Sequence, residues 1–396
     1  MALKEKLFQA LAQKEPRMIE IRRYLHENPE LSFKEYQTAK YIADFYTGKD
    51  CSVRTGVGGN GVVVTIDSGK PGCTAALRAD FDALPIQEDT GLPFASKVAG
   101  VMHACGHDAH TAYMLILAET LIELKDEWSG KIVILHQHAE EIPPGGAKGM
   151  IADGCLEGVD NVFGLHIISN LKNSTVYYHS GAIHTGQSGF KIDLYGKGGH
   201  GAMPQDTHDT ILAASDLVVS LQSIVSRRVD PFDMATLTVG RFEAAGAPNV
   251  VNAHVQLEGD IRTLSSEVQQ LIEVEFKRVL EGIAKMYNVT YDLDYRHNYP
   301  VTVNDAKLTA FVEQSLKSAE IPEIAAVMDS GALGPSEDFA YYAKERPSCY
   351  FHVGAAAKDG TFYPHHNPKF MIDENALLIS AKAMGNVVVD YLTNYA

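Results

Sequence analysis

The sequence predicts an α/β protein whose mostly parallel sheet carries helices on both faces and is interrupted by a second, α+β domain. Between residues 61 and 165, β-branched runs alternate with helical stretches, the order expected of parallel strands joined by crossover helices. Between about 187 and 300 the order becomes strand, helix, strand, strand, helix, strand, that of the split βαβ or ferredoxin-like sandwich. The expected division is 1–186 and 301–396 for the first domain, with 187–300 inserted into it.

Residues 3 to 26 place Leu7, Leu11, Met18, Ile21 and Leu25 at near-helical spacing, and Pro29 stops that helix. A second helix is expected over 33–47. Gly61–Ile66 and Thr74–Arg78 read as strands, Ala109–Leu124 as a helix, Lys131–Leu135 as a strand, Ala147–Ala152 as a helix and Val162–Leu165 as a strand. In the insert, Phe190–Tyr195, Ala235–Val239, Val251–Ile261 and Val289–Tyr295 read as strands, with helices over Asp209–Arg227 and Ser265–Tyr287. Helix 305–319, strand 348–353 and helix 373–391 return to the first domain.

A chain of 396 residues, 45% hydrophobic and 21% charged, is long enough for two cores and has no disordered composition. Its formal charge of -16 argues against nucleic acid and anionic membranes as partners, because phosphate binding needs concentrated cations. The five cysteines are scattered, with no CxxC pair, as in a reducing compartment. Charges run through Met1–Leu25 where a signal peptide would need an apolar core, so a cytoplasmic location is expected.

One stretch concentrates the chemistry: His103-Ala104-Cys105-Gly106-His107-Asp108-Ala109-His110, at the entry to the helix after the second strand. Imidazoles, a thiol and a carboxylate crowded into eight residues are costly unless a cation neutralises them, which points to the floor of a two-metal hydrolytic site. Asp80 and Asp82 follow a strand and could each orient a histidine ligand, or simply cap a loop. Glu140 and Glu141 follow the strand Lys131–Leu135; neighbours there face different ways, so one can ligate a metal while the other acts as general base. A solvated turn is the plainer alternative. His166 ends a strand, and His365-His366 sits in a proline-flanked loop; either could be structural or a ligand.

Together, His103-Ala104-Cys105-Gly106-His107-Asp108, His138-Ala139-Glu140-Glu141, Gly164-Leu165-His166, Gly196-Lys197-Gly198-Gly199-His200-Gly201-Ala202-Met203-Pro204 and His366-Asn367-Pro368-Lys369-Phe370 resemble the metallo-amidohydrolases. That family includes hippurate hydrolase, N-acyl-amino-acid aminoacylases, auxin-conjugate hydrolases and N-acetyldiaminopimelate deacetylase. The resemblance covers roughly residues 15–390 and implies a di-metal aminopeptidase-like catalytic domain with an inserted lid and dimerisation domain. It further implies that Cys105, His107, Glu141, His166 and His366 bind two divalent ions per subunit, that Glu140 is the general base and that Asp82 supports a ligand. Wider relatives carry a His where Asp80 stands and a bridging Asp where Cys105 stands, so Asp80 is not expected to ligate. Thiolate favours Zn²⁺, while Glu and imidazole also accept Mn²⁺, Co²⁺ or Ni²⁺.

The resemblance also implies that His200 stabilises the tetrahedral oxyanion, often from the other subunit of a homodimer, and that Asn252 and Arg262 contact substrate. Arg262 could instead brace Asp260 or Glu258, and Ser336-Glu337-Asp338-Phe339 is expected to open a helix with Ser336 as N-cap. The expected activity is hydrolysis of small N-acyl amino acids, with Cys105 a ligand rather than a nucleophile. The competing expectations are a dipeptidase or carboxypeptidase and, from another class, a non-catalytic metal- or ligand-binding protein.

Overall fold

The computed structural model describes residues 2–394, which form two compact units. The first comprises the chain up to Gly181, Val303–Gly331 and the chain from Asp338 onward; the second comprises Ala182–Thr302 and Ala332–Glu337. Residues 332–337, placed by the sequence in the first domain, thus group with the insert.

The first unit is built on an eight-stranded sheet in the order 52–57, 61–67, 131–137, 74–80, 161–168, 348–354, 175–178, 326–329. Four central strands, 131–137, 74–80, 161–168 and 348–354, run parallel. The flanks are antiparallel where 61–67 meets 131–137 and where 348–354 meets 175–178. A parallel centre needs cover on both faces, which explains why successive residues Ile132, Val133 and Ile134, Ala75, Ala76 and Leu77, and Val162 and Phe163 are all buried rather than alternating with polar residues. The strands Ser52–Val57, Thr175–Tyr178 and Ala326–Asp329 lie outside the expected pattern because they are short or at the sheet's edge.

Helix His107–Glu123 is buried nearly throughout, from His107 to Ile122, as is Asn375–Asn394; a helix apolar all round belongs inside. By length and composition Asn375–Asn394 could cross a membrane, but 89% of its apolar window is buried against the rest of the unit. The single helix expected over 3–26 is two, Leu3–Gln13 and Glu15–Glu27, with Pro16 in the first turn of the second, where its missing N–H costs nothing. The helix expected over 33–47 spans Tyr36–Phe45.

In the second unit, four antiparallel strands stand in the order 235–243, 254–263, 186–195, 290–299. Helices Thr210–Arg227 and Ser266–Tyr287 cover one face, packing Leu217, Leu221, Ile272, Phe276 and Leu280 onto Ile192, Leu194 and Leu257. Side-chain caps from Asp209 and Ser265 set the starts of both helices.

Candidate metal centre

Strand Thr74–Asp80 delivers Asp80 at its carboxyl end and Asp82 two residues beyond, where sites in parallel sheets form. Each carboxylate holds a different imidazole. Asp80 Oδ1 accepts from His110 Nδ1 at 2.6 Å. Asp82 accepts from His107 Nδ1 through Oδ1 at 3.1 Å, while its Oδ2 takes the Ser32 hydroxyl at 2.6 Å and the Glu141 backbone N–H at 3.0 Å. Burial alone would push the Asp82 carboxyl up; the His107 hydrogen bond and charge outweigh it and hold it below the usual carboxylate range.

These contacts fix which ring nitrogens face inward. Because His107 gives its Nδ1–H to Asp82, Nε2 is the nitrogen that can offer a lone pair to a cation once its own proton is displaced, and among the described residues that buried atom has no hydrogen-bond partner. His166 gives its Nδ1–H to the Ile167 carbonyl at 2.8 Å, leaving a lone pair on Nε2, 3.6 Å from Cys105 Sγ. His110 is spent on both sides, since its Nε2 accepts the Ile167 N–H at 2.9 Å. His365 Nε2 likewise accepts the Ser169 N–H at 3.1 Å, so the proton sits on Nδ1. His366, with its backbone in the left-handed region at φ 64, stands with Nε2 3.2 Å from Glu141 Oε1.

Ligand atoms of Cys105, His107 and Glu141 converge within 4.8 Å of one another, and Cys105 Sγ also faces the lone pair of His166 Nε2 and the Nδ1–H of His365. The residues therefore fit divalent cations: uncommitted lone pairs, a carboxylate and a sulfur converge, and each inward-facing ring of His107 and His166 is oriented by an acceptor behind it. The electrostatics agree. Burial, then Glu141 and Glu140, hold the Cys105 thiol well above its ordinary range, and Asp80 and Asp82 overcome burial to push His107 up to about 10, so the cluster is short of positive charge.

Glu140 and Glu141 follow a turn at Ala139, whose φ of 52 is strained for a residue with a Cβ. Glu35 holds that turn by accepting the Ala139 N–H at 2.8 Å, and burial pushes its own carboxyl up to about 7. Further along, Gly145 takes φ 78, and a Cβ there would lie 2.2 Å from Asp338 Oδ2. Asp338 accepts from Ala147 N and Gln137 Nε2, and from Arg78 Nη2 at 2.8 Å. Arg78, 1% exposed, also reaches Asp80 Oδ2 at 2.6 Å and Gln137 Oε1 at 2.9 Å. Sequence reasoning missed this lattice; the available signal was an arginine inside a strand otherwise fit for burial. Ser336 is no N-cap: the helix spans Ala340–Glu345 after Phe339, and Ser336 Oγ accepts from Arg262 in the second unit.

In that unit His200 pairs with Val250 on a two-residue ladder, and Gly201 N donates to the Asn249 carbonyl, so the His200 and Asn252 segments lie together. A Cβ at Gly201 would come within 2.9 Å of that carbonyl, which explains the glycine. Asn252 Nδ2 donates to the Ala245 carbonyl and its Oδ1 accepts from His254 N. Arg262 gives Nε to Asp260 at 2.8 Å and Nη1 to Ser336 at 3.0 Å, so it does brace Asp260.

Residues 76–390 match the model of peptidase family M20/M25/M40. The chain belongs to this family. It is accordingly a hydrolase of the amidohydrolase and peptidase type. It is 40% identical over 364 residues to N-acetyl-L-cysteine deacetylase of Bacillus subtilis, covering 92% of this chain and 85% of that one. It is 37% identical over 395 residues to thermostable carboxypeptidase 2 of Saccharolobus solfataricus, covering 99% of each. Among solved structures, the Bacillus subtilis YxeP protein, described as a dinuclear metal binding peptidase of the M20 family, superposes with a TM-score of 0.83 at 31% identity, covering 96% of this chain and 99% of that one.

Arg78→Met leaves Asp80 and Asp338 buried beside no guanidinium, so it is expected to cost about 3–5 kcal/mol of stability. A fall in the denaturant midpoint with unchanged slope checks this; an unchanged midpoint contradicts the account of the lattice.

Proposed function

We propose that this chain is a metal-dependent amidohydrolase that cleaves the amide bond of small N-acyl amino acids to a carboxylate and a free amino acid. The observation that carries the reading is the adjacent pair Glu140 and Glu141 beyond a buried strand, with the Glu141 backbone tied to the same Asp82 that holds His107. In this assignment Cys105, His107, Glu141, His166 and His366 hold two divalent cations, Zn²⁺ or Mn²⁺ first, Co²⁺ or Ni²⁺ as alternatives. The name of the Bacillus subtilis YxeP protein supports the count of two. Such ions supply a water of lowered pKa and an electrophilic partner for the substrate carbonyl.

The chain's own residues do the rest. Glu140 takes a proton from the attacking water and returns it to the departing amine nitrogen, so that water is consumed, the C–N bond breaks and the proton balance closes. Asp82 keeps the His107 ring in one orientation throughout. His200 stabilises the tetrahedral oxyanion as a hydrogen-bond donor. With Nε and Nη1 engaged, Arg262 presents Nη2 to the substrate α-carboxylate, and Asn252, on the segment paired beside His200, also contacts substrate.

The name of the 40% identical deacetylase supports an acyl-amino-acid substrate. The name of the carboxypeptidase supports the second reading, a peptidase acting on unblocked peptides with the same water, base and metals. A panel of N-acetyl, N-benzoyl and longer N-acyl amino acids beside free dipeptides, assayed with the metal-loaded enzyme, is expected to favour the acyl amino acids; a preference for dipeptides selects the second reading. Glu140→Gln is expected to lower kcat by about 10²–10⁴-fold with metal content unchanged. Undiminished turnover contradicts the base assignment, and a wild-type protein that binds metal but turns over nothing in the panel supports a non-catalytic binder.

The active form in this proposal is a cytoplasmic homodimer through the second unit. Its edge strand Ala235–Glu243 leaves one side unpaired in the sheet, and the neighbouring helix Thr210–Arg227 exposes Ile211, Leu212 and Val219, a liability for a lone chain. Light scattering is expected to give twice the 43.2 kDa chain mass. A monomeric mass for an active enzyme contradicts it.

A further inference from the structure

His365 belongs to no role assigned so far, although it lies beside the centre in a loop whose backbone is anchored by the bond from His366 N to the Ala104 carbonyl at 2.9 Å. Its Nδ1 is 3.4 Å from Cys105 Sγ. Distance alone leaves ligation and donation open, since a nitrogen so placed could ligate a cation beside the sulfur or donate a proton, and the Cys105 backbone carbonyl lies within reach of the ring as well as the sulfur.

The far side of the ring decides between them. Nε2 faces the backbone N–H of Ser169 at 3.1 Å, and a backbone N–H can only donate. Ligation through Nδ1 would move the ring proton to Nε2 and aim two N–H groups at each other. Packing on both sides opposes turning the ring. It packs on Phe370 with centroids 4.9 Å apart and meets the His166 ring edge-on at 5.4 Å, while Ser169 is itself tied to the Tyr363 carbonyl at 2.8 Å.

We propose that His365 is a positioning residue that donates an Nδ1–H···S hydrogen bond to the Cys105 thiolate, setting how strongly that sulfur binds the cation. A hydrogen bond to a coordinated thiolate withdraws charge from the sulfur and fixes its direction, as outer partners do for other ligands. The inference rests on Cys105 being a ligand, and its test separates the two claims.

The probe is Co²⁺ alone, added to the wild-type protein and to the His365→Phe, His365→Asn and Cys105→Ser variants, read by the near-ultraviolet sulfur-to-cobalt charge-transfer band and by competition with a chromogenic chelator. Wild type is expected to show the band and Cys105→Ser to lose it; a wild type without the band overturns the ligand reading itself. In His365→Phe the band is expected to persist but move to lower energy, with cobalt affinity down roughly 10–100-fold. In His365→Asn, whose amide N–H can occupy the place of Nδ1–H, the band is expected to return toward its wild-type position. An unmoved band in a folded His365→Phe protein overturns the proposal while leaving Cys105 a ligand. Stoichiometric loss of one cobalt in both His365 variants overturns it in favour of direct ligation by His365.

Discussion

One buried carboxylate holds the candidate centre together. Asp82, 1% exposed, joins four pieces of chain that are distant in sequence: the end of a central strand, the Ser32 segment, the first residue of the buried helix at His107 and the backbone of Glu141. Its bond to His107 Nδ1 sets the tautomer that leaves Nε2 available, and its bond to Glu141 N sets the direction of the glutamate pair. Without that carboxylate the His107 Nδ1–H keeps only the Asp82 carbonyl, 3.0 Å away, while Ser32 and the turn after Ala139 each lose an anchor. The tautomer logic extends outward from there, with Ile167 serving His166 through its carbonyl and His110 through its N–H.

The fold exists to place those contacts. Parallel strands bring Asp80, Asp82, Glu140 and Glu141 to one end of the sheet, and the helix His107–Glu123 is buried so completely that its first residue has no freedom to move away. The concentration of acid there is balanced by Arg78 beneath the site, which is why a full positive charge lies inside an otherwise apolar strand. Asp338 extends the same lattice to the glycine-rich turn beyond Glu141, and only glycine fits at Gly145 against it.

Much of this was legible in the sequence because periodicity and motif both report local chemistry. The alternation of runs between 61 and 165 pointed to the parallel sheet, and the strand-helix order after 187 matches the two-layer second unit. What stayed hidden depends on tertiary neighbours. Short edge strands such as Thr175–Tyr178 carry too few residues to show a period. Ser336 looked like a cap because its residue type caps well, yet its hydroxyl serves Arg262. Nothing in His365-His366 tells which imidazole faces a sulfur and which a carboxylate; the Ser169 N–H, nearly 200 positions away, makes that distinction.

The central claim is that a sulfur, imidazoles and a carboxylate from separate strands and loops enclose a pair of divalent ions. X-ray absorption at the zinc edge of the fully loaded protein, together with its metal stoichiometry, tests this most directly. The account predicts two zinc ions per chain and a sulfur scatterer at about 2.3 Å alongside nitrogen and oxygen neighbours. One ion per chain, or a spectrum with no sulfur in it, would contradict it.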